Sequence, residues 1–242
     1  MPIGIIINCL SVLFGGIFGV VLGKYIPKRI KNELTLMFGL CSLAIGIMSV
    51  IGMQNMPVVV LSIVVGTAIG MWIGLGEWIQ KGARLLGNFI SKCFHNQSTM
   101  DEVEYTKTLV MIIVLFCASG TGIYGSLVEG MNGDPTILIS KSILDFFTAA
   151  IFASQLGIVV SSVAIPQLII FSSLFVISKW IMPYMSSAMI ADFKACGGLL
   201  VIATGFRMMK VKEFPIADMI VSMIIVIPLS WLWVCYILPI IV

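Results

Sequence analysis

Long apolar runs separated by short polar turns dominate the chain. Eight runs are each long enough to cross a bilayer, which takes about 20 apolar residues. They cover residues 3–23, 34–52, 57–76, 105–128, 136–155, 158–178, 188–206 and 216–240. The fifth and sixth meet at Leu156-Gly157 with no polar loop, so a tight hairpin and a re-entrant pair are both open there. The runs are continuous rather than alternating, which argues against a β-barrel. The pattern predicts an all-α polytopic helix bundle of about eight spans, forming one transmembrane domain over residues 1–242. Within it, 1–76 read as a three-helix unit and 77–104 as a cytoplasmic amphipathic helix and loop. Residues 105–156 hold Gly-rich and acidic central spans, and 157–242 a second three-helix unit.

Residues 77–94 depart from the spans. Trp78, Leu85, Leu86, Phe89, Ile90 and Cys93 line one helical face, and Glu77, Lys81, Arg84, Asn88 and Lys92 the other. That separation predicts a helix lying in the membrane interface. Its expected role is anchoring, with regulation or partner binding as the alternative. His95 to Glu104 reads as the one soluble loop.

Composition agrees with the pattern. Hydrophobic residues make up 60% of the 242 positions and charged residues 10%, against about 45–50% and about 25% in ordinary soluble domains. Mean hydropathy is +1.13. A soluble enzyme, a nucleic-acid binder and a disordered chain are excluded. The net charge of +3 says little about partners. The first basic residue is Lys24, so no signal peptide with a positive leading region is expected.

The distribution of charge is more informative than its sum. Lys24, Lys28, Arg29, Lys31, Lys81, Arg84, Lys92, Lys107, Arg207, Lys210 and Lys212 all fall on one side of an eight-span arrangement. Lys141, Lys179 and Lys194 fall on the other. Basic loops stay cytoplasmic, which puts both termini outside.

Span two resembles span seven. Glu33, Gly39, Leu40, Ala44 and Gly46 align with Asp192, Gly198, Leu199, Ala203 and Gly205 at a constant offset of 159, and Pro57 with Pro215 one position short of it. An offset of five crossings inverts orientation. Spans one to three and six to eight then form inverted repeats around spans four and five, as in many secondary transporters. Composition alone also produces matches of Gly, Ala and Leu.

Small residues form stripes. Gly15, Gly19 and Gly23 recur every four residues in span one, as do Gly66, Gly70 and Gly74 in span three. Each stripe lets another helix approach closely, within the chain or across a homodimer.

Spans four and five carry the candidate chemistry. Span four holds three glycines and the hydroxyls of Ser119, Thr121 and Ser126 in one short stretch. A broken helix lining a site and tight packing by small residues both fit. Glu129 ends the span at the outer interface. Asp134 before Pro135 reads as a helix cap for span five. Lys141, Asp145, Thr148 and Gln155 share one face of that span. Asp145 is the acid placed deepest in any span, and an ionisable group there is a functional hypothesis by default. The plainer reading is an ion pair with Lys141 at i,i+4.

No chemistry of other kinds is apparent. The six cysteines contain no CxxC pair and read as buried apolar groups. His95 is the only histidine, which disfavours a zinc site or a Ser-His-Asp triad. There is no GxxxxGK[ST] loop. No enzyme activity, cofactor or metal is expected.

Phe116-Cys117-Ala118 through Gly125-Ser126, then Glu129-Gly130, Gly133-Asp134, Lys141-Ser142, Leu144-Asp145 and Phe152-Ala153, resemble the signature of the YdfK/YqgA-like bacterial inner-membrane proteins. The resemblance extends over the whole chain, including Gly23-Lys24-Tyr25-Ile26-Pro27. The family pattern has Asp where Glu129 stands and Met where Thr121 stands. The resemblance implies a multi-pass bacterial plasma-membrane protein and brings no substrate.

These features point to a secondary transporter or ion-coupled carrier of a small solute or ion. Asp145, Glu129, Ser119, Thr121, Ser126, Lys141 and Thr148 are the expected binding residues. An ion channel and a non-transporting assembly or sensor protein are the alternatives.

Overall fold

The computed structural model describes residues 1–22, 25, 27–93 and 102–241. Regular structure among them is entirely helical: α1 Ile3–Leu22, α2 Lys28–Ile51, α3 Met56–Ile73, α4 Leu75–Cys93, α5 Glu102–Cys117, α6 Gly120–Asn132, α7 Thr136–Leu156, α8 Val159–Ser162, α9 Ala164–Ile181, α10 Ser187–Met208, α11 Ile216–Leu232 and α12 Leu238–Ile241. Eight segments are long and apolar enough to cross a membrane: Ile3–Leu22, Glu33–Ile51, Met56–Ile73, Thr108–Asn132, Thr136–Leu156, Val159–Tyr184, Ser187–Met208 and Ile216–Ile240. Span by span these are the expected runs. Much of the loop expected from His95 lies outside the described residues, and α5 already begins at Glu102.

The helix ends follow from local chemistry. Pro57 lies in the first turn of α3, where a missing N–H costs nothing. Gly74 closes that helix at φ 64°, its N–H donating to Gly70 and Met71 carbonyls. It therefore acts as a left-handed cap rather than as the last member of a packing stripe. Gly157 at φ 78° turns the chain from α7 into α8 without a polar loop. Span six is itself interrupted at Val163, between α8 and α9. Pro166 follows, and its ring and missing N–H disrupt continuous helix there.

The chain forms two compact units, residues 1–37 with 77–179 and residues 38–76 with 180–242. These boundaries cut across the three-helix units read from the sequence. Spans one and six share the first unit, and most of span two joins spans three, seven and eight in the second.

In the first unit α1 is the organising helix. Gly15 and Gly19 lie against the backbone of Phe146 and Ala150, so α1 and α7 run parallel. Ser161 donates to the Leu13 carbonyl at 3.0 Å, and Gln167 bonds Asn8 further along, so α8 and α9 run antiparallel to α1. Spans five and six therefore both extend along span one, which removes the re-entrant alternative. An apolar core of Leu109, Ile112, Ile113, Phe116, Ala149, Val160 and their neighbours fills this unit.

In the second unit, Gly66 lies against Ser222 and Gly70 against Asp218, which sets α3 antiparallel to α11. Helix α2 meets α10 through glycines at both points of contact. A Cβ on Gly39 would come within 2.9 Å of the Gly205 oxygen, and one on Gly46 within 2.7 Å of the Gly198 oxygen.

Four of the six stripe glycines are thus covered within the chain, the first of the two readings given for the stripes. Gly74 is a cap, and Gly23 lies outside the described residues.

Helix α4 forms over the expected amphipathic segment, and its apolar residues are shared between two surroundings. Ala83 and Ile90 are buried, and Leu86 packs with them against the α5 residues of the same core. Trp78, Leu85 and Phe89 stay exposed. The apolar residues divide between a face on the protein and a face on the surroundings.

Candidate functional site

Four buried polar side chains of the first unit meet where α1, α7 and α9 converge. Lys141 and Asp145 stand one turn apart on α7 and form an ion pair. Asn8 of α1 donates from Nδ2 to Asp145 Oδ2 at 2.8 Å. Gln167 of α9 donates from Nε2 to Asn8 Oδ1 at 2.7 Å. Their exposures are 3% for Lys141, 7% for Asp145 and 0% for both amides. Gln167 Oε1 is buried with no hydrogen-bond partner. Burying such groups is costly unless every one is satisfied, so an orphaned oxygen inside this cluster needs a reason.

The broken fourth span borders the cluster. Helix α5 stops at Cys117, and α6 restarts at Gly120 with Ser119 as its cap, accepting from Gly122 N at 3.1 Å. The Lys141 ammonium lies 5.8 Å from the Phe116 ring centre and 6.0 Å from that of Phe171. Gly122, in the first turn of α6, lies so close to the Phe171 ring that a Cβ would collide with it. Lys141 and a helix N-terminus, both electropositive, therefore flank one aromatic ring.

The other expected residues have local duties. Ser126 donates to the Gly122 carbonyl at 2.7 Å within its own helix. Glu129 accepts from Gly4 N at 2.7 Å and Ile5 N at 3.2 Å, and so caps the start of α1. Asp134 accepts from Thr136 N at 3.0 Å and serves the first turn of α7. Thr121 and Thr148 are buried, and neither bonds to the four-residue cluster. Of the seven expected binding residues, only Lys141 and Asp145 belong to it. Asn8 and Gln167 did not emerge from the sequence.

Another buried carboxylate lies in the other unit. Asp192 accepts from Gln54 N, Asn55 N, Asn55 Nδ2 and Ser230 Oγ at 3.1, 2.8, 2.8 and 2.6 Å. Four donors satisfy it, two of them backbone amides at the start of α3, so it caps that helix and ties it to α11. Asp218 does the same for α4 through Gly76 N at 2.7 Å. Among the described residues no group of three or more His, Cys, Asp or Glu side chains is arranged to hold a metal.

The model of the family described as "Protein of unknown function (DUF554)" matches residues 3–231. The chain belongs to the DUF554 family. The DUF554 chain is 43% identical to the "Uncharacterized protein YqgA" of Escherichia coli K12 over 236 residues, covering 98% of this chain and 99% of that one. It is 24% identical to the "Uncharacterized membrane protein YdfK" of Bacillus subtilis 168 over 231 residues, covering 92% and 93%. No solved structure matches it. With eight apolar spans and a membrane-protein relative, this DUF554 chain is a multi-pass membrane protein.

Proposed function

We propose that this DUF554 protein is a secondary transporter of a small solute or ion in the bacterial plasma membrane, with both termini outside. The observation that carries the reading is the buried Lys141–Asp145 pair with its two amides. A buried ion pair is a poor stability device, since apolar groups of similar volume often do as well or better. Retaining one inside a membrane bundle favours a role in binding.

Two further features support it. The fourth span breaks beside the pair, and discontinuous helices frame solute sites in many carriers. The sequence repeat also has a spatial counterpart. Asn8 and Gln167 bond each other across an interval of 159 residues, the offset that relates span two to span seven. Spans one and six, two and seven, and three and eight would be mates in an inverted duplication, and each pair packs antiparallel.

The test is uptake by proteoliposomes of the purified chain. A panel of radiolabelled small anions, alkali cations and amino acids is offered to wild type and Asp145→Asn. The reading expects one class to accumulate with wild type and none with the variant, at equal helicity by circular dichroism. Undiminished uptake by Asp145→Asn overturns the assignment of the site.

A further inference from the structure

The hydrogen bonds of the buried cluster have a direction. Gln167 donates to Asn8, Asn8 donates to Asp145, and Lys141 donates to the same carboxylate oxygen. Chemistry imposes this order, because an ionised carboxylate only accepts. Asn8 must therefore turn its NH2 to Asp145 and its carbonyl to α9, and Gln167 must answer with its own NH2. The atom left over is a carbonyl oxygen, Gln167 Oε1.

Protonating Asp145 on Oδ2, the oxygen that holds both donors, inverts the order. The new O–H donates, so Asn8 turns its carbonyl to Asp145 and its NH2 to Gln167. Gln167 then accepts through Oε1, and Nε2 becomes the free atom. Two amide rotations convert the unpaired end of the chain from acceptor to donor. At the same moment the Lys141 ammonium loses its counterion. It stays beside the Phe116 and Phe171 rings, and the Phe171 ring also packs on Gly122 in the first turn of α6.

We propose that the site takes up a small anion together with one proton, with Asn8 relaying the charge state of Asp145 to the free end of Gln167. The proposal rests on the carrier reading above and names its solute class. The proton goes to the Asp145 carboxylate, and the anion pairs with Lys141 and the freed Gln167 N–H. The one bond formed is the Asp145 O–H, from the proton taken up with the anion, and the site is electroneutral both empty and loaded. The empty state offers an incoming anion only a carbonyl oxygen and a lysine already paired, so it is selective against the anion without the proton.

The titratable groups on the elements packed against α7 are few. Cys9 on α1 and Cys117 on α5 lie within electrostatic reach of Lys141 and Asp145. Helix α6 brings Tyr124 and Glu129, the latter bonded to the α1 amides, and α8 brings none.

The test is thermal unfolding of the full chain in detergent, with the sodium salts of chloride, nitrate, formate and lactate, at a series of pH values. One of these anions should stabilise wild type, with an apparent affinity rising by up to about tenfold per unit fall in pH, the slope of one proton bound with each anion. Asp145→Asn, with its NH2 turned to Asn8 Oδ1, stands in for the protonated acid. It should bind the same anion with an affinity independent of pH. Gln167→Leu, the second variant, should weaken binding at low pH by about tenfold. A wild-type affinity that ignores pH, or a wild-type slope in Asp145→Asn, overturns the relay. If alkali cations or amino acids are taken up and no anion binds, the carrier reading stands and the anion proposal falls. If the folded protein binds none of them and shows no uptake, both fall.

Discussion

Asn8 and Gln167 share a 2.7 Å hydrogen bond and stand 159 residues apart, the interval at which span two is echoed in span seven. Two antiparallel helices related by a two-fold axis meet at the axis in equivalent residues. The glycines of the other unit behave in the matching way. Gly39 aligns with Gly198 and Gly46 with Gly205, yet the contacts run crosswise, Gly39 to Gly205 and Gly46 to Gly198. Crosswise pairing is what a self-complementary two-fold contact requires. The inverted duplication proposed above would place contacts of this kind within each unit.

The crosswise glycines should be intolerant of bulk. Gly46→Leu drives a side chain into the backbone of Gly198, and overpacking costs about 1–3 kcal/mol. Gly52→Ala, with no atom within 4 Å of the added carbon, should leave the unfolding temperature in place. Equal melting of the two variants would contradict the close approach of α2 and α10.

Glu129 should prove a structural acid. Its carboxylate holds the first amides of α1, and losing a helix cap costs about 0.5–2 kcal/mol. Glu129→Ala should lower the unfolding temperature while the protein still binds the solute that stabilises wild type. Loss of binding at full stability would return Glu129 to the site.

Asp192 should be costlier. An amide in its place turns at least one donor toward donors that now point at oxygen. Asp192→Asn should therefore destabilise by about 1–3 kcal/mol, read by thermal unfolding, with uptake per folded molecule unchanged.

The spans were legible because a membrane permits little else: backbone groups must be satisfied within a helix, so long apolar runs have one solution. Lys141 and Asp145 were legible because their spacing on one helix brings them together. Asn8 and Gln167 were harder, since each is a lone amide in an apolar run, and no local rule pairs residues on different helices. They form a polar pair at the 159-residue offset, beyond the stretch where matching glycines made that offset visible. The capping roles of Glu129 and Asp192 were not legible, because the amides they hold come from helices far away in sequence. The glycine stripes left their partner open, and the carbonyls of Phe146, Ala150 and Asp218 supplied it within the chain.

Removing one member of the ion pair should be far worse than removing both. Lys141→Met leaves Asp145 buried without its cation, an expected loss of about 3–5 kcal/mol. Lys141→Met with Asp145→Leu removes both charges and should recover most of that stability, as read by thermal unfolding. A double variant no more stable than the single one would mean that the surrounding amides, rather than the unpaired charge, set the cost.

That double variant also provides the most direct test of the central claim, that the pair is kept for binding rather than for folding. The measurement is uptake of the solute panel by proteoliposomes holding equal amounts of folded wild type and double variant. The account predicts a variant that is folded, stable and unable to transport. Uptake at the wild-type rate would contradict it and leave Lys141 and Asp145 as packing residues.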